Sequence, residues 1–133
     1  MALEMTTDLR MLIWVSLLTL FLWLPYVLAR LVRYGLIETI SYRKDGEPVA
    51  AWATRAKKAH YNAIENLVPF AIAVLVAHIT NAANDMTALA SIVYFWARLA
   101  HYPLQISNLP IGRTVAFAVG WVAILIIVLQ IIK

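Results

Sequence analysis

From Ala116 to Ile132 the chain carries a single side chain that is neither apolar nor glycine, Gln130. About 20 such residues are needed to cross a bilayer core as a helix. A second run, Met11 to Val32, is interrupted near its end by Pro25 and Arg30. No soluble fold of 133 residues can bury two such runs along with the apolar residues between them, which make the whole chain 63% hydrophobic against about 45–50% for a soluble domain. The mean hydropathy of +0.78 agrees. The chain therefore reads as a small polytopic membrane protein. A cleaved signal peptide is the rival reading of Met11–Val32, but its apolar segment would be about 7–15 residues, and this run is longer.

Turn and cap signals divide the rest. Asp45-Gly46 marks a turn, and Pro48 suits the first position of a helix. Asn84 or Asp85 can cap a further helix, Pro103 ends or kinks it, and Pro110 opens the last one. The expected architecture is all-α, one domain over 1–133. It is a four-transmembrane-helix antiparallel bundle with helices over about 9–33, 48–79, 86–103 and 110–132.

The formal charge is +4, yet the basic residues flank apolar runs, which argues for topology and against nucleic acid. Arg30, Arg33, Arg43, Lys44, Arg55, Lys57, Lys58, Arg98 and Arg113 fall on one side of such a bundle, and only Arg10 and Lys133 on the other. The positive-inside rule then puts both termini outside and the basic loops in the cytoplasm, as for a bacterial inner-membrane protein. There is no cysteine, so thiol chemistry needs a thiol from outside the chain.

The segment Arg55–Phe70 passes from polar to apolar without a break. Lys58, Asn62 and Glu65 lie on one face of it by their spacing of four and three. An acid taken into hydrocarbon costs about 2.5–3.5 kcal/mol, so Glu65 requires a partner. Counting from the outer turn at about 1.5 Å per residue, Glu65 lies about 21 Å and Arg98 about 18 Å deep. The two are therefore expected to pair across neighbouring helices. His101 and Gln105 follow Arg98 at one-turn intervals, and Arg113 and Thr114 enter from the start of the last helix. These residues would line one polar cleft suited to a small anion beside lipid, with the helix N-terminus adding positive potential. A thiol held beside Arg113 would be more readily ionised. The structural alternatives are a packing-only Glu65–Arg98 pair, asparagines bonded between helices, and Trp14, Trp23, Trp52 and Trp121 as lipid-facing or belt residues. A His60–Glu65–His101 metal site has no supporting Glu-x-x-His pair, so no metal is expected.

The run Arg55-Ala56-x-x-Ala59-His60-x-Asn62-x-x-Glu65-Asn66-x-x-Pro69-Phe70 resembles helix 2 of the MAPEG family, the membrane-associated proteins in eicosanoid and glutathione metabolism. Ala97-Arg98-Leu99-Ala100-His101 is similar to that family's helix 3 motif, and Gly112-Arg113-Thr114 to its entry to helix 4. The resemblance implies a homotrimer with glutathione held between subunits, acting on lipophilic small molecules delivered by membrane lipids. It implies Lys58, Asn62, Glu65, Arg98, His101 and Gln105 as the glutathione-binding set, and Arg113 with Thr114 at the thiol. The chain departs from the pattern at Lys58 (usually Arg), Tyr61 (basic), Gln105 (Tyr), Thr114 (Ser) and Phe117 (Tyr). Two functions follow: a glutathione-dependent transferase or peroxidase, or a non-catalytic lipid-binding or accessory protein on the same fold.

Overall fold

The computed structural model describes residues 4–133, and every regular element among them is a helix. They are α1 (Thr7–Phe21), α2 (Leu24–Tyr34), α3 (Leu36–Ile40), α4 (Ala51–Ile79), α5 (Asp85–Ile106) and α6 (Pro110–Ile132). Three stretches are long and apolar enough to cross a membrane: Thr7–Tyr34, Ala51–Ile79 and Pro110–Ile132. α5 packs against all three, most extensively against α6.

The first run is two helices rather than one. Pro25 lacks an N–H, and its ring clashes with the carbonyl of the residue four back, which is Phe21, the last residue of α1. The break leaves the Leu22 carbonyl to a side chain: the Tyr102 hydroxyl of α5 donates to it at 3.0 Å.

α4 begins at Ala51, not at Pro48. The residues before it are turn and irregular backbone whose carbonyls are held by side chains of α2. Arg30 donates to the Lys44 and Glu47 oxygens, and the Tyr34 hydroxyl to that of Pro48. α5 runs through Pro103 and ends three residues later, where Asn108 takes a left-handed φ of 57°. There Leu109 N–H donates to the Leu104 oxygen and Asn108 N–H to that of Gln105. Asn81 closes α4 by the same bonding pattern, at φ 58°. At the start of α5 the Asn84 side chain accepts from Met86 N–H and Thr87 N–H, and Thr87 Oγ1 accepts from Asn84 N–H: a reciprocal cap.

The core is built from Leu12 and Val15 of α1, Phe70 and Val74 of α4, Tyr94 of α5 and Ile124 and Ile127 of α6. Phe70 stacks on Tyr94 with centroids 3.9 Å apart. Next to this core, Asp8 is buried at 1% exposure. Thr6 donates to one of its oxygens and Thr87 to the other, the latter at 3.1 Å. A carboxylate beside the N-terminus of α5 also meets the positive end of that helix.

Thr87→Val keeps the shape and removes the donor to Asp8 and half of the α5 cap. The expected loss is about 1–3 kcal/mol in thermal unfolding in detergent. Thr80→Val, whose exposed hydroxyl bonds only to its own helix at Val76, should stay within about 0.5 kcal/mol.

Candidate functional site

α4 buries a stripe of small residues, Ala53, Ala56, Ala59 and Ala63, continued by Phe70, Ala73, Val74 and Ala77. Alanine has no side chain to hold a neighbour off, so this face sits against the bundle and fixes the rotation of α4. Asn62 then lies at the edge of the buried face, half-buried, while Glu65 is exposed.

Arg98 of α5 is 4% exposed. Its Nη2 donates to Asn62 Oδ1 at 2.9 Å, and its Nε is buried with no partner. The expected Glu65–Arg98 pair is not formed: among the described residues one ion pair is found, Arg43–Glu38 at 3.3 Å. The depth argument placed both groups at the same level, but the alanine stripe turns Glu65 away from α5 and brings the amide of Asn62 there in its place. Asn66 does not reach another helix; its amide donates to the Asn62 carbonyl of α4 at 2.8 Å.

The second contact of the cluster joins α5 to α6. Arg113 Nη1 donates to Gln105 Oε1 at 3.3 Å, with Gln105 and His101 both buried. One turn apart on α5, Arg98, His101 and Gln105 form a buried polar row. Thus the structure joins Asn62 to Arg98 and Gln105 to Arg113. Lys58 and Glu65 remain exposed, as does Thr114, whose hydroxyl donates to the Pro110 carbonyl at 2.7 Å. Among the described residues neither Arg98 nor Arg113 has a carboxylate partner, so positive charge without a counter-ion is set among apolar helices.

Three further contacts were not foreseen. Arg55 Nε donates to the Ile106 carbonyl at 2.7 Å, placing a cation on the C-terminus of α5. Tyr26 Oη lies 2.7 Å from His60 Nδ1 and ties α2 to α4. The third is the Asp8–Thr87 contact. Arg55 had a signal, its place three residues before Lys58 in the polar entry to α4. Asp8 had a weaker one, as an acid at the head of an apolar run.

An all-helical bundle of this hydropathy, with an uncompensated guanidinium row buried between its helices, is a membrane protein with a polar site. The model of the MAPEG family matches residues 11–133, nearly the whole chain, and the chain belongs to that family. Among curated proteins and among solved structures, none matches it.

Asn62→Ala strands a buried guanidinium, and a hydrogen bond to a charged group is worth about 1.5–3 kcal/mol. A loss in that range is expected by chemical or thermal unfolding. Asn66→Ala, which removes only a bond to its own helix, should cost about 0.5 kcal/mol or less.

Proposed function

We propose that this protein is a glutathione-dependent membrane transferase or peroxidase acting on lipophilic electrophiles. The observation that carries the reading is the pair of guanidiniums, Arg98 and Arg113, bound to the amides of Asn62 and Gln105 with no carboxylate to neutralise them. A tripeptide with two carboxylates and a thiol supplies the missing negative charge. Arg113 at the first turns of α6 favours the ionised thiol, and the unpartnered Nε of Arg98 offers a further donor. The thiolate sulfur would attack an electrophilic carbon and displace its leaving group, or reduce a hydroperoxide with a second thiol completing the disulfide.

Exposed acids do not belong in hydrocarbon, and Glu65 has no ion-pair partner among the described residues. A homotrimer answers this: Glu65 and Lys58 of one copy would meet ligand bound on the Arg98 row of the next. In this reading α5 is the fourth transmembrane helix. Its 22 residues reach about 33 Å at 1.5 Å each, enough for a core of about 30 Å. Both termini lie outside and the Arg113 end lies in the cytoplasm, consistent with a bacterial inner membrane.

One observation favours the second reading, a non-catalytic lipid-binding or accessory protein. Gln105 already occupies Arg113, and the Thr114 hydroxyl is given to its own helix, so the groups nearest the thiol are engaged.

Calorimetry of glutathione on the detergent-solubilised protein separates the two. The enzyme reading expects saturable binding, weakened about tenfold or more by Arg113→Ala and by Glu65→Gln, with conjugation of a general aryl halide. Absence of both binding and conjugation removes it.

A further inference from the structure

A second cleft, of 680 Å³, opens between α2, the segment after α3 and the first turns of α4. It is separate from the guanidinium row, which lies between α4, α5 and α6. α2 and α4 are tied beside it by the Tyr26–His60 contact. Its level in the membrane follows from the length of α4. The 29 residues of that helix extend about 43 Å at 1.5 Å each, against about 30 Å of hydrocarbon. The overhang is the basic end, carrying Arg55, Lys57 and Lys58. The cleft flanks Ala53, Thr54 and Lys57 of this overhang, with Tyr61 one turn beyond, and so opens among lipid headgroups.

The walls carry charges of both signs that do not meet. Lys57 lies over the Tyr61 ring, 5.6 Å from its centroid, and has no ion-pair partner among the described residues. Asp45 and Glu47 line the same cleft from the loop before α4, without a cation within ion-pair distance among the described residues. Arg30 is already committed, its guanidinium bonded to the loop carbonyls of Lys44 and Glu47. The cleft thus offers one ammonium and two carboxylates that lie beyond ion-pair distance of one another. Its remaining wall is apolar and aromatic, with Trp23, Val27 and Ala53. Aromatic side chains of this kind sit at the headgroup boundary.

We propose that this cleft binds a zwitterionic phospholipid by its headgroup, with the phosphate on Lys57 and the ammonium on Asp45 and Glu47. The charge pattern matches that of the ligand. A phosphodiester accepts charge-assisted hydrogen bonds from the lysine. The ammonium is held by the carboxylates, with the aromatic ring of Tyr42 also in the lining. The glycerol and first methylenes lie against Trp23 and Val27. An acidic headgroup lacking an ammonium would set a second negative charge against Asp45 and Glu47, so simple attraction of a basic segment to anionic lipid predicts the opposite preference.

The test is native mass spectrometry of the full-length protein, equilibrated in detergent with equal amounts of phosphatidylethanolamine, phosphatidylcholine and phosphatidylglycerol. Retention of either zwitterionic lipid over phosphatidylglycerol is expected. Lys57→Gln should lower that retention roughly tenfold. The double variant Asp45→Asn, Glu47→Gln should also lower it and shift the preference toward phosphatidylglycerol. Both act on exposed or half-buried side chains, and Glu38→Gln outside the cleft serves as the control that leaves retention unchanged. Phosphatidylglycerol retained equally or better by the unaltered protein overturns the proposal. So does a failure to retain any of the three, or retention that none of the cleft variants alters.

Discussion

A guanidinium enclosed by apolar helices is the constraint on which this structure turns. Arg98 cannot be deprotonated to escape its surroundings, so the fold must bring it a hydrogen-bond acceptor. That acceptor is Asn62, a neutral amide on the edge of the buried face of α4. The contact requires α4 to lie close to α5, which the run of alanines permits, and to be rotated so that Asn62 faces inward. Once α4 is so rotated, Glu65 must face away, and a charge that the chain cannot satisfy alone is set on its surface. The functional reading grows from that asymmetry: positive charge without a counter-ion inside, and negative charge without one outside.

The helices are pinned by a few polar contacts spread along their length. At one end Asp8 takes hydroxyls from Thr6 and Thr87, and Asn84 both caps α5 and donates to Gln130 of α6 at 3.0 Å. Toward the other end Tyr102 holds the carbonyl freed by the Pro25 break. At the other end Arg55 caps α5. The buried and part-buried ones join groups that would otherwise be unpaired away from water, which makes them stronger locators than the apolar contacts around them. The guanidinium row lies among these fixed points and so has a defined geometry before any ligand arrives.

Much of this was readable in advance. The apolar runs, the Asn84 cap, the start of α6 at Pro110 and the MAPEG-like motifs all came directly from residue type and spacing, because each depends on neighbours along the chain. The misreadings have a common cause. Pro48 looked like a helix start, but side chains of α2 hold the carbonyls before α4 and delay it to Ala51. Pro103 looked like a helix end, but the left-handed Asn108 provides the stop. In each case a contact or a backbone choice outside the local pattern decided the boundary.

Hydropathy adds residue by residue, so the sequence alone determined that this is a helical membrane protein and which stretches are apolar enough to cross; the spacing of Glu65 and Arg98 along their helices was equally readable. Depth is distance along an axis, and the rise per residue sets it. Rotation about that axis is another matter. It is set by which face packs most closely against neighbours, and the alanine stripe of α4 won that competition over the demand of a single carboxylate. Only the tertiary structure could therefore decide that Arg98 meets Asn62, that Glu65 turns outward, and that Lys57, Asp45 and Glu47 line one cleft.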